Sequence, residues 1–113
     1  MITIEKPWGK EEIIETNQRY TVKRLTMWKN MRCSLQYHNL KCETIVVVSG
    51  VLRIIQGDSP KSLDAKDYHP GECVTLKPGV VHRMECAEDC VYLEASTSEL
   101  NDVVRLEDDY NRA

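Results

Sequence analysis

Apolar and polar residues alternate over short stretches of this chain, and turn-forming residues interrupt the alternation at regular intervals. Ile13-Ile14, Tyr20 to Trp28, Val51 to Ile55, Glu72 to Leu76, Val80 to Cys86 and Cys90 to Ala95 suit half-buried strands. Ser34 to Gly50 reads as two more strands around a tight turn, with the apolar run Ile45 to Val48 in the second. Lys29 to Arg32, Tyr68 to Gly71, Lys77-Pro78-Gly79 and Ala87-Glu88-Asp89 supply the breaks. Residues 1–12 read as an opening loop, turning at Pro7-Trp8-Gly9 with Trp8 as an anchor. Gln56 to Asp67 is polar and turn-rich, which predicts a loop or hairpin. Only the tail has helical spacing: Leu100, Val103, Val104 and Leu106 predict a short helical segment between about Ser98 and Tyr110. Roughly eight to ten short strands with one terminal helical piece make an all-β fold, a sandwich or barrel of the jelly-roll kind.

Composition narrows the class. At 113 residues the chain reads as one domain, 1–113, with 42% hydrophobic and 29% charged residues. A net charge of -3 provides no basic excess for counterion release, so nucleic acid is not the expected partner. No basic-then-apolar leader is visible and no apolar run approaches a membrane span, so a cytoplasmic protein without membrane contact is expected. The five cysteines, Cys33, Cys42, Cys73, Cys86 and Cys90, are odd in number and contain no CxxC pair. They read as reduced, buried apolar residues.

The chemistry gathers in two places. Residues two apart on a strand share a face, so His38 goes with Gln36 and Ser34, and with Leu40 if the turn has not begun. Glu43 goes with Ile45 and Val47, and His82 with Met84 and Cys86, while Arg83 and Glu85 point the other way. Brought together inside a small barrel, His38, Glu43 and His82 form a two-histidine, one-carboxylate set with open metal positions, and Gln36 can add an oxygen ligand. The expected cofactor is a divalent metal ion, one of Zn, Mn, Fe, Co or Ni. His69, beside Pro70 in a turn, reads as an exposed loop residue.

HNLKCETIVVVSG, from His38 to Gly50, and PGECVTLKPGVVHRMEC, from Pro70 to Cys86, resemble the two motifs of the cupin superfamily. His38, Glu43, Gly50, Gly71, Gly79 and His82 match motif positions. KPWGKEE, YTVKRL, SLQYH, VVVSG, GVVHRME and DVVRLEDDYNR extend the likeness over nearly the whole chain. These segments resemble the cupin domain of type II phosphomannose isomerase/mannose-1-phosphate guanylyltransferase. Leu40 stands where the first motif has its second histidine, and Lys41 where the family has an arginine. The segment between Glu94 and Asp102 is shorter than in the family, and Pro78 is one place later than the second motif's proline.

The resemblance implies a cupin barrel that isomerises a sugar phosphate, mannose 6-phosphate to fructose 6-phosphate, with no guanylyl transfer in this stretch. Such a reaction needs a Lewis acid, a base and a cation for the phosphate. Lys41, Glu94 and Arg105 are the candidate catalytic residues, with Lys23, Lys41 and Arg83 as candidate substrate contacts. Two other classes stay open: a sugar or sugar-nucleotide binding module without turnover, and a non-haem iron oxygenase. The expected partner is a small phosphorylated sugar. A homodimer is also expected, with Trp8, Tyr20, Trp28 and Tyr37 either at its interface or in the core.

Overall fold

The computed structural model describes all 113 residues and contains strands but no helix. In chain order these are β1 (Ile2–Lys6), β2 (Gly9–Thr16), β3 (Thr21–Met27), β4 (Leu35–Tyr37), β5 (Glu43–Ser49) and β6 (Leu52–Ser59). There follow β7 (Ser62–Tyr68), β8 (Cys73–Leu76), β9 (Val81–Glu85), β10 (Cys90–Ser96) and β11 (Val104–Glu107). One sheet runs β1-β2-β3-β10-β5-β8 and the facing sheet β11-β4-β9-β6-β7, every pairing antiparallel. This is the expected jelly roll, with the cores of both sheets facing each other.

Two expectations of local structure fail. Residues 2–6 form an edge strand in register with β2, from Ile2 opposite Ile13 to Lys6 opposite Gly9, so only Pro7-Trp8 turns. The tail is also a strand: Val104 pairs with Tyr37 and Arg105 with Gln36. A helix so short is marginal in water, whereas the β-branched Val104 opens a strand that completes the exposed edge of β4. Residues 56–67 make a hairpin in which Gly57 faces Leu63.

The inward rows explain where the site sits. Along β3 the buried side chains read Thr21, Lys23, Leu25, Met27; along β10, from the same end, Ser96, Glu94, Tyr92, Cys90. β5 gives Glu43, Ile45, Val47, and the inward row of β9 is His82 and Met84. Each row is polar at one end of the barrel and apolar at the other. The apolar end is filled by Trp8, Leu25, Met27, Ile45, Val47, Leu52, Ile54, Met84 and Tyr92 among others. Trp8 therefore belongs to the core, while Tyr20 and Trp28 are exposed. Gly50 turns the chain out of β5 with φ at +78°, where a side chain would also strike the Asp89 carbonyl.

Candidate metal centre

His38, Glu43 and His82 meet at the polar end, with all their candidate ligand atoms within 4.8 Å of one another. His82 Nε2 is 3.3 Å from Glu43 Oε1, and His38 Nε2 is 3.8 Å from Glu43 Oε2. The three side chains are almost wholly buried.

Each imidazole is turned by its other nitrogen. His38 Nδ1 is bonded to the Asp102 carbonyl, and His82 Nδ1 to the Val80 carbonyl at 3.0 Å. A carbonyl only accepts, so both Nδ1 atoms carry hydrogen and, in the neutral rings, both Nε2 atoms present a lone pair. Those two Nε2 atoms are buried and make no hydrogen bond. Two lone pairs and a carboxylate aimed at one point repel unless a positive charge, a metal ion or the proton of an imidazolium, lies between them. Bonds of about 2.0–2.2 Å to nitrogen and oxygen place ligands at separations close to those seen, so the donor set fits a divalent metal ion.

Gln36 is held by Ser34 on the strand beside His82. Its Oε1 accepts the Ser34 hydroxyl at 2.6 Å with one of two lone pairs, and its amide N–H2 makes no hydrogen bond. Leu40 is 68% exposed and points away, because the chain has begun its turn after His38. The Asp102 carboxylate shapes that turn: it accepts the backbone N–H groups of Asn39, Leu40 and Lys41 at 3.0, 2.7 and 2.9 Å. Sequence reading gave Asp102 no role, since no local pattern links it to a turn some sixty residues away.

Behind the candidate ligands runs an alternating series of buried charges. Lys41 Nζ lies 3.1 Å from both Glu43 Oε2 and Glu94 Oε2. Lys23 contacts Glu11 and stands 4.0 Å from Glu94, and Lys6 is 3.2 Å from Glu11. Burial alone would raise the Glu43 pKa, but an N–H of the His82 ring, where Nε2 carries a proton instead of facing a metal, and the Lys41 ammonium outweigh it and hold the carboxyl well below its usual range. Glu94 goes the opposite way: burial, and then the Glu43 charge, push it up against Lys41 and Lys23. For Lys41 burial is outweighed by Glu94 and Glu43, which keep it charged. Burial lowers the His38 pKa, Glu43 notwithstanding. Glu11 was not foreseen; a glutamate among the polar residues of KEE carries no mark of burial.

The cavity over this site has a volume of about 110 Å³ and is lined by Lys23, Gln36, His38, Lys41, Glu43, Glu94 and Arg105 among others. Arg83 is not part of it. Its guanidinium lies on the outer side, with Nε donating to the Cys33 carbonyl at 3.0 Å and Nη2 to that of Glu107 at 3.5 Å. It fastens β9 to the chain beside it rather than facing a ligand. His69 is exposed beside Glu72, as expected. All five cysteines are unpaired thiols; Cys33, Cys86 and Cys90 are buried, Cys42 is half-buried and Cys73 exposed.

Residues 2–108 match the family model described as mannose-6-phosphate isomerase C-terminal. The mannose-1-phosphate guanylyltransferase ManC of Salmonella typhimurium is 32% identical over 114 residues, covering 96% of this chain and 23% of its own. The xanthan biosynthesis protein XanB of Xanthomonas campestris is 31% identical over the same length, with the same shares covered. The chain thus spans about a quarter of the curated relatives it matches. Among solved structures, the capsular polysaccharide assembling protein CapF of Staphylococcus aureus superposes with a TM-score of 0.77 at 21% identity, over 94% of this chain and 31% of CapF. KdgF from Halomonas superposes with a TM-score of 0.76 at 11% identity, over 88% and 89% of the two chains. No helix is long and apolar enough to cross a membrane. With its jelly-roll barrel and a family match across nearly its whole length, the chain belongs to the mannose-6-phosphate isomerase C-terminal family of cupins.

Proposed function

We propose that this barrel binds a divalent metal ion through His38, Glu43 and His82 and interconverts the aldose and ketose forms of a sugar phosphate, mannose 6-phosphate and fructose 6-phosphate. The observation that carries the reading is the pair of buried, unpartnered Nε2 atoms aimed at one carboxylate. A bound ion there, Zn, Mn, Fe, Co or Ni, supplies a Lewis acid for the carbonyl and hydroxyl oxygens of the sugar. The reaction moves one proton from C2 to C1 and one from O2 to O1. Glu94 lines the cavity with a raised pKa, the property a carboxylate needs to take a carbon-bound proton and return it. Lys41 has three N–H donors; two are directed at Glu43 and Glu94, and the third is free for a substrate oxygen carrying developing charge.

The second reading is a sugar-binding module without turnover. It is favoured by Lys41, whose ammonium already neutralises part of the Glu43 charge that a metal would use. Elemental analysis of the purified protein, then an assay for fructose 6-phosphate with the identified metal restored, separates the two. Metal with conversion supports the isomerase. Metal without conversion leaves the binding module, and a protein that takes up no divalent metal rules out the isomerase. The exposed Ile2 and Ile4 on edge strand β1 support a homodimer, which light scattering after gel filtration tests.

A further inference from the structure

Five basic side chains line the cavity, Lys6, Lys23, Lys41, Arg105 and Arg112. Four of them are spoken for. Lys6 and Lys23 contact Glu11, Lys41 contacts Glu43 and Glu94, and Arg112 forks onto Asp108 at 2.9 and 3.0 Å. Arg105 differs: no carboxylate pairs with its guanidinium, and its Nε is buried without a hydrogen bond. A buried donor left unmade is costly, which points to a partner that the protein itself does not supply.

The strand register says where that partner lies. Arg105 on β11 pairs with Gln36 on β4, and Gln36 pairs with His82 on β9, so the three residues form one row across the sheet. Next to Arg105, the Gln36 amide is held by the Ser34 hydroxyl through its oxygen, and its N–H2 makes no hydrogen bond. Two donor groups thus stand on neighbouring strands, Gln36 one strand spacing, about 5 Å, and Arg105 two, about 10 Å, from His82 of the candidate metal set. Donors without acceptors suit an anion, and a guanidinium fork fits the oxygens of a phosphate monoester.

We infer that Arg105 and Gln36 form the anion subsite of this barrel, holding the phosphate monoester of a ligand whose other end lies at His38, Glu43 and His82. The second half of that statement rests on the function proposed above; the anion subsite does not. Lys23 and Lys41 are neutralised by buried carboxylates and Arg83 lies outside the cavity, so none of the three reads the phosphate.

Calorimetry with mannose 6-phosphate, mannose and inorganic phosphate tests this on the zinc-loaded full chain. The wild type binds mannose 6-phosphate more tightly than mannose, and inorganic phosphate competes. Arg105→Gln weakens mannose 6-phosphate and inorganic phosphate on the order of tenfold or more while mannose and zinc affinities hold, and Arg105→Lys recovers part of the loss. Gln36→Glu, which sets a carboxylate beside the phosphate, weakens the same two ligands. Unchanged mannose 6-phosphate binding in Arg105→Gln, or equal affinity of the wild type for mannose and its phosphate, overturns the inference. A wild type that shows these affinities but converts nothing overturns the isomerase alone. Conversion by Arg105→Gln with unaltered KM overturns the subsite alone.

Discussion

Lys41 Nζ and Glu43 Oε2 are 3.1 Å apart in a buried setting, so the carboxylate of the metal set carries a permanent cation of its own. The same ammonium reaches Glu94 at 3.1 Å, and one lysine thereby compensates two buried carboxylates. It balances the buried carboxylates without metal and would oppose the charge of a bound ion.

Replacing that lysine separates the two effects. Lys41→Met leaves Glu43 and Glu94 without their shared partner, and removal of one member of a buried ion pair costs about 3–5 kcal/mol. The metal-free variant is expected to unfold at clearly lower urea concentration than the wild type. Zinc should then stabilise the variant more than it stabilises the wild type, because the competing charge is gone. Equal zinc-induced shifts in the two proteins would show that Lys41 does not oppose the metal.

Position 40 offers a cleaner contrast. The missing motif histidine falls on Leu40, yet this side chain is 68% exposed and its backbone N–H is tied to Asp102. Leu40→His is therefore expected to leave zinc affinity within about twofold of the wild type, as surface changes away from a site do. His82→Ala, by contrast, should abolish stoichiometric zinc in the same titration. Tightened binding in Leu40→His would mean that the turn can be drawn into the barrel.

Asp102 is expected to matter for metal without touching it. Asp102→Ala frees three backbone N–H groups, loosens the turn after His38 and unsettles the carbonyl that orients the imidazole. Groups that orient a ligand typically contribute tenfold to a hundredfold in metal affinity, and a loss of about tenfold is the expected result. A lowered melting temperature with intact zinc affinity would confine Asp102 to stability.

The Glu11 carboxylate gives the acid response a sign. Burial would raise its pKa, but Lys23 and Lys6 outweigh burial and hold it below the usual value. A carboxyl lowered on folding adds stability that is fully present above its unfolded pKa, about 4.3, and is lost as pH falls through the folded value. Urea unfolding from pH 7 down to pH 3 should show a shallower loss in Glu11→Gln than in the wild type. Identical slopes would remove Glu11 from the acid response.

Much of this molecule was readable before folding. Alternation located β3, β5, β6, β8, β9 and β10, and the motif likeness singled out His38, Glu43 and His82, which the fold brings together. What stayed hidden depends on contacts between distant segments. The Val103-Val104 tail has helical spacing, and only the open edge of β4 decides that it is a strand. Nor could the strand pattern say that the Gln36 amide is held by the Ser34 hydroxyl. Glu11 and Arg83 are charged residues on strands, and periodicity cannot say that the first is sealed inside and the second stitched to a neighbouring carbonyl.

The last strand has a bearing on when the site comes into being. A growing chain that has reached Glu94 already contains every candidate metal ligand, but not the Asp102 carbonyl that turns His38 or the Arg105 side chain of β11. Distant pairings form late, after the cost of closing long loops has been met. During synthesis, then, the barrel passes through a stage in which its ligands exist but are not yet aimed. An ion bound at this set would meet aimed ligands only once β11 has docked on β4.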